Sequence, residues 1–246
     1  DGGKFDSLDA ALFHAEEMVN QGADILDVGG ESTRPGHIQI TEDEEIARVT
    51  PVIEQLKKRF DVPVSIDTYK SRVAEAALQS GADLVNDIWG LKYDENMAEV
   101  IARHQAACCL MQNREQIDYT DYVEDVLDDL RESVQIAKAA GIPDDRIMLD
   151  PGVGFGKTYE MNLEIIRVVG RLKELGYPVL LGTSRKSVIG LTLDLPADQR
   201  EEGTLVTTVL GVEQGCSFVR VHDVETNARA IRMAEAIFRE HDLAVR

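Results

Sequence analysis

The sequence predicts an α/β fold and, within that class, a (β/α)8 barrel. Three observations carry this: short apolar runs alternate with amphipathic helical segments, a polar residue closes nearly every run, and 246 residues at 43% apolar content suit one barrel domain. An open doubly wound sheet would gather its chemistry at one switch point. Here it recurs from strand to strand, as around a ring.

The first helical segment covers about 8–21, where Ala11, Ala15, Met18 and Val19 fall near helical spacing. No strand precedes it. The barrel's first strand is therefore expected upstream of Asp1, with Asp1-Gly2-Gly3 as the tail of a loop. The opening strand of the chain, Ile25, Leu26 and Val28 around Asp27, runs into a Gly-Gly turn and a polar loop. A helix at about 42–59 follows, then a strand at 62–68 and a helix at 71–79 ended by Gly81. Strands at 83–88 and 107–112 are followed by helices near 94–104 and 121–140. The strand at 146–152 precedes a helix near 160–175, and that at 178–184 precedes helical sequence through 214. A strand at 218–224 and a helix near 225–240 end the series, making seven strands in a single domain over 1–246.

A net charge of −19 argues against nucleic acid and anionic membranes as partners, because a polyanion is repelled over most of such a surface. An anionic substrate then needs a local cationic cluster. The three cysteines include the adjacent pair Cys108 and Cys109 and show no metal-ligand spacing, which argues against a disulfide framework or zinc site and fits a reducing cytoplasm. No run approaches a membrane span.

Residues two apart in a strand share a face. Ser65 goes with Asp67, Leu84 with Asn86, Met148 with Asp150, and Arg220 with His222, so Asp27, Asp67, Asn86, Asp150, Arg220 and His222 are expected to converge on the barrel mouth. Any one of these carboxylates alone reads equally well as a helix N-cap. Together they form a cluster too costly to bury without a ligand or cation.

Three loops add to this. Ser32-Thr33-Arg34-Pro35-Gly36 brings hydroxyls and a guanidinium to a turn, a phosphate-binding chemistry that is also common in solvated turns. DPGVGFGKT at 150–158 resembles a Walker A loop but is one residue short, with Pro151 in place of the first glycine. It reads as a glycine loop that lets backbone and Phe155 approach a ligand beside Asp150, with Lys157 solvated. In Gly182-Thr183-Ser184-Arg185-Lys186-Ser187, one of Arg185 and Lys186 faces the mouth, and spacing leaves open which. His14, His37, His104 and His241 read as surface residues.

DVGGESTRPG at 27–36, SIDT at 65–68, VND at 85–87, DPGVGFGK at 150–157, SRKS at 184–187 and RVHD at 220–223 resemble, in order and spacing, the signatures of the dihydropteroate synthase family. The resemblance implies a TIM barrel that joins 6-hydroxymethyl-7,8-dihydropterin pyrophosphate to p-aminobenzoate with release of pyrophosphate. It further implies a cytoplasmic, homodimeric, Mg2+-dependent enzyme of folate biosynthesis, the target of sulfonamides. By position, Asp150 would read the amino-pyrimidinone edge of the pterin, with Asn86 and Asp67 completing it and Asp27 beside them. Lys186 would meet the pterin carbonyl side, Arg220 would stack on the ring and help neutralise the diphosphate, and His222, Thr33 and Arg34 would supply further anion contacts. Ser184 and Pro35 match positions at the p-aminobenzoate pocket, and Phe155 belongs to the substrate-binding set. Lys186, Arg220, His222 and Asp67 are the expected catalytic group. The family's asparagine metal ligand lies in the loop expected upstream of Asp1, so no metal ligand is expected within the chain. Gln112 stands where the family often has histidine, on the pterin-pocket wall. Two other readings share this barrel: a pterin-binding methyltransferase domain acting on methyltetrahydrofolate, and a non-catalytic pterin-binding paralogue. The methyltransferase handles no diphosphate and has no need of Thr33 and Arg34 together with Arg220 and His222.

Overall fold

A computed structural model describes residues 7–32 and 38–238. Its helices are α1 (Leu8–Gln21), α2 (Glu42–Arg59), α3 (Ser71–Gln79), α4 (Met97–His104), α5 (Tyr122–Ala139), α6 (Tyr159–Arg167), α7 (Ser187–Leu193), α8 (Glu201–Glu213) and α9 (Val224–Phe238). Its strands are β1 (Leu26–Val28), β2 (Val64–Asp67), β3 (Leu84–Asp87), β4 (Ala107–Met111), β5 (Ile147–Asp150), β6 (Leu180–Leu181) and β7 (Phe218–Val219).

All strand pairs are parallel. β1 to β5 pair in consecutive order, β6 pairs with β7, and a bridge between Leu149 and Val179 joins the two groups. Laid flat, seven strands would hold their outer members roughly 29 Å apart. Instead, Arg220, just past β7, sits 2.6 Å from Asp27 in β1 and 2.8 Å from Asp67 in β2, so the sheet curls round on itself. α1 packs against α9 in the same way, closing the helical layer. The eighth strand expected ahead of α1 has no counterpart among the described residues, and the ladder there is open between β7 and β1.

Side-chain alternation sorts the strands into two faces. Val64, Ile66, Val85, Cys108, Leu110, Ile147 and Leu149 point outward into the main core shared with the helices. Leu84, Cys109 and Met148, with Ala107, Leu180 and Phe218, form a separate apolar cluster in the barrel interior. The polar strand ends sit above this plug: Asp67 pairs in register with Asn86, Asn86 with Cys109, and Met111 with Asp150.

Local chemistry sets the helix ends. Ser7, Thr41 and Thr158 cap α1, α2 and α6 by accepting from Ala10, Glu44 and Met161 N–H groups. α2 opens with four acidic residues and closes with Lys57, Lys58 and Arg59, complementing its dipole. Several elements are shorter than expected. α4 starts at Met97 because Asp94 is engaged in a turn, accepting from the Ser71 and Asn96 N–H groups at 2.8 and 3.0 Å. The helical run after β6 breaks into α7 and α8, with Asp194 left-handed and Pro196 behind it. β7 is only two residues long, and α9 begins at Val224.

Candidate active site

Three side chains from the two ends of the ladder meet first. Arg220 bridges Asp27 and Asp67, and these two carboxylates raise its already high proton affinity. Burial raises the Asp67 carboxyl, opposed by Arg220 and reinforced by the charge on Asp27. Asp27 Oδ1, Asp67 Oδ1 and Ser65 Oγ are buried with no hydrogen-bond partner among the described residues. Each such group costs roughly 1–3 kcal/mol, so this face of the rim is built to be completed by something that binds.

The second cluster lies across the mouth. Asp150 is 6% exposed, and its Oδ1 accepts from the Gly152 N–H at 2.7 Å. Burial raises its carboxyl, opposed by Lys186. A Cβ placed on Gly182 would lie 3.7 Å from Asp150 Oδ2, 3.8 Å from Lys186 Nζ and 3.9 Å from Arg220 Cβ, so all three side chains border one small space. Lys186 is therefore the cation at the mouth. Arg185, left-handed at φ 57°, turns away into an ion pair with Asp223. Lys186 Nζ donates to the Val153 carbonyl at 2.6 Å and lies 5.0 Å from the Phe155 ring centre. Burial lowers its pKa to about 8, against the pull of Asp150. Phe155 packs with Tyr69, Ile88, Trp89 and Met111 as an apolar wall beside the acids. Such a rim can hold a flat heterocycle by its edge and an anion by its cations.

His222 is positioned by Ser184, whose Oγ is 2.8 Å from Nδ1 and accepts from the His222 N–H at 3.1 Å. Burial, then the charge on Arg185, lowers His222 to about 4. At neutral pH it is an uncharged hydrogen-bonding group, which narrows the anion contact expected of it. Thr33, Arg34 and Pro35, with His37 and His241, lie outside the described residues. Of the other histidines read as surface residues, His104 is half-buried and lies 2.8 Å from Glu75, and His14 is half-buried beside Glu17.

Two groups escaped the sequence reading. Lys157 is not solvated: its Nζ reaches the Gln112 side chain and the Phe155 carbonyl, because the glycine loop folds back on β4. The loop needs its glycines for that. Gly152 has φ +71°, and a Cβ there would sit 1.9 Å from the Gln112 carbonyl oxygen. Gly152→Ala is therefore expected to cost more than about 1 kcal/mol, lowering the thermal midpoint by roughly 2–4 °C or more. An unchanged midpoint in a calorimetric scan would contradict this close contact. The second group is a buried charge cluster, in which Lys70 Nζ meets Glu31 at 2.6 Å, Glu45 at 2.8 Å and the Ile40 carbonyl at 2.9 Å. Tyr69 OH donates to Glu31 at 2.5 Å, and so does the Ile40 N–H at 2.8 Å. Burial alone would raise Glu31, but these donors hold it down to about 2. Only the acid after the Gly-Gly turn hinted at this in the sequence.

A barrel whose rim offers paired acids, two cations and an apolar wall describes a class of small-molecule enzyme, and comparison with known proteins specifies the family. A family model described as pterin binding enzyme matches residues 1–222. The chain is 58% identical over 240 residues to the dihydropteroate synthase of Clostridium beijerinckii, covering 97% of this chain and 89% of that one. The structure of the Clostridium difficile dihydropteroate synthase, solved in the presence of pteroic acid, superposes with a TM-score of 0.94 at 53% identity, covering 98% of this chain and 92% of that one. That of Xanthomonas albilineans, with 4-aminobenzoic acid, gives 0.91 at 38% identity over 96% and 87%. The chain belongs to the pterin-binding enzyme family. Within it, the relatives at this level of identity are dihydropteroate synthases with the TIM-barrel fold. Among the described residues, no helix is long and apolar enough to cross a membrane, and no group of three His, Cys, Asp or Glu side chains could by itself hold a metal ion.

Proposed function

We propose that the chain is one pterin-binding barrel domain that condenses 6-hydroxymethyl-7,8-dihydropterin pyrophosphate with p-aminobenzoate, giving 7,8-dihydropteroate and pyrophosphate in folate biosynthesis. The observation that carries this is the meeting of Asp150, Lys186 and Arg220 around Gly182, with Asp27 and Asp67 bound to the same arginine. Acids suited to the N–H edge of a pterin and cations suited to a diphosphate border one space.

In this reading, Asp150 accepts from the amino-pyrimidinone edge, with Asn86 and Asp67 beside it, and Lys186 donates to the carbonyl side. Phe155 and Arg220 confine the ring. Arg220 also neutralises the diphosphate, and neutral His222, held by Ser184, donates a hydrogen bond to it. Thr33 and Arg34 add anion contacts, and Pro35 and Ser184 border p-aminobenzoate. The C–O bond to the diphosphate breaks ahead of attack, since the pterin delocalises positive charge on the exocyclic methylene. The aryl amine then bonds to that carbon and gives up a proton to the released pyrophosphate or to solvent. The amine is already nucleophilic, so positioning matters more than a strong base.

Although the resemblance gives no Mg2+ ligand within this chain, Asp27 Oδ1 and Asp67 Oδ1 fit the ion: they are hard oxygens without hydrogen-bond partners among the described residues, and Mg2+ commonly combines one or two carboxylates with phosphate oxygens and water. Asp27 and Asp67 would hold it, and it would supply positive charge to the leaving group. A homodimer is supported by exposed Val206 and Leu210 on α8 and Met233 and Ile237 on α9, an apolar face at the end of the chain. Native mass measurement tests it, with twice the chain mass expected and a monomer contradicting it. The negative charge and the free cysteines suit the cytoplasm.

A coupled pyrophosphate-release assay tests the activity. Release that requires both the pterin pyrophosphate and p-aminobenzoate is expected. Binding without release would favour the non-catalytic paralogue, and methyl transfer from methyltetrahydrofolate would favour the methyltransferase.

A further inference from the structure

Lys157 is a half-buried cation with no part in the reaction described above. Its Nζ donates to the Phe155 carbonyl at 3.0 Å and to Gln112 Oε1. Gln112, 2% exposed, donates in turn to Asp129 Oδ2 at 2.8 Å and to the Tyr119 hydroxyl at 3.1 Å. Arg114 grips Asp129 through Nε at 2.7 Å and Nη2 at 3.1 Å. The Tyr119 hydroxyl donates to the Gly156 carbonyl at 3.0 Å, returning the chain of contacts to the loop where it began. The loop after β5 is thus tied to the loop after β4 by a polar network centred on Lys157 and Gln112.

The other side of the same loop touches the reacting rim. Gly152 N–H orients Asp150, the Val153 carbonyl accepts from Lys186, and the Phe155 ring lies beneath the Lys186 ammonium. A Cβ on Gly152 would sit 3.2 Å from Lys157 Nζ, so the residue that orients Asp150 is backed directly by the lysine. We propose that Lys157 is a positioning residue for pterin recognition: it holds the 151–157 backbone and Phe155 where they aim Asp150 and Lys186 at the ligand.

Charge cost supports a role beyond filling space. Burial brings the Lys157 pKa down to about 7, against the attraction of Asp150, so holding an ammonium at this position carries a cost. A methionine would fill a similar volume without that penalty. The gain is a donor that fixes two loops at once.

The inference rests on the pterin lying against Asp150, and its test separates the two. 6-Hydroxymethylpterin is titrated calorimetrically into wild type, Lys157→Met, Lys157→Arg and Tyr119→Phe, and the KM for p-aminobenzoate is measured at saturating pterin pyrophosphate. Lys157→Met is expected to bind the pterin at least tenfold more weakly, Tyr119→Phe about twofold to fivefold more weakly, and Lys157→Arg to recover part of the loss. These magnitudes follow the scale of one or two lost hydrogen bonds, and the KM for p-aminobenzoate should stay within twofold. Pterin affinity unchanged in Lys157→Met and Tyr119→Phe overturns the proposal. So does equal weakening toward both substrates, the result of general loosening. If Lys157→Met does not fold, Tyr119→Phe decides, since it removes one hydroxyl. Failure of the wild type to bind the pterin would overturn the functional reading itself.

Discussion

Lys186→Ala is expected to lower kcat by at least tenfold while leaving the fold intact. The lysine is the cation that shares the space at Gly182 with Asp150; in the proposed reading its removal takes a positive donor from the carbonyl side of the pterin, and it leaves Asp150 with less compensation. One lost charged contact at a reacting centre is worth about 1.5–3 kcal/mol, or roughly one to two powers of ten in rate. The fold should tolerate the change, because the Lys186 side chain bonds to a single carbonyl, that of Val153. Asp150→Ala should cost at least tenfold as well, with the larger part appearing as lost pterin affinity. Steady-state kinetics checks both, and near-normal turnover in either variant would count against the residue roles.

Lys70→Met is expected to be the most destabilising single change in the described rim. Lys70 lies between Glu31 and Glu45, and removing it leaves two buried carboxylates facing each other. Breaking a buried ion pair from one side costs about 3–5 kcal/mol. For a chain of this size that lowers the thermal midpoint by roughly 6–20 °C. Adding Glu45→Gln to Lys70→Met should restore part of the loss by removing one of the stranded charges. The pH dependence has a definite sign. Glu31 is held at about 2, below its ordinary 4.5, so its contribution is complete above pH 4.5 and is lost as pH falls from there toward 2. The gap between wild type and Lys70→Met should therefore be widest near neutrality and narrow below pH 4.5. A gap that stays constant from pH 7 to pH 3 would contradict the role assigned to Glu31.

Much of the rim was legible in the sequence because strand burial has a short period. Asp67, Asn86 and Asp150 could be placed on one face by counting in twos from the apolar residues of their own strands. That rule fails where the backbone leaves the extended conformation. Arg185 is left-handed, so the alternation that would have chosen between Arg185 and Lys186 does not survive the turn. It fails again where a partner is remote in sequence. Lys157 meets Gln112 across 45 positions, and Lys70 meets Glu31 and Glu45 across 39 and 25, distances that no local pattern encodes. A lysine in a glycine loop looks solvated until the loop is seen folded onto its neighbour. The division of the helical run after β6 was readable in principle, since Pro196 falls inside it. The Arg220 bridge to Asp27 and Asp67 was legible only as a shared destination. Its geometry depends on the curl of the whole sheet.

A crystal structure of the chain with pteroic acid tests the central claim most directly. The pterin edge should lie against Asp150 and Asn86, its ring between Phe155 and Arg220, with Lys186 at the carbonyl side and the benzoate directed toward Ser184. Pteroic acid bound at the opposite end of the barrel, or bound at the rim without contact to Asp150 and Lys186, would contradict it.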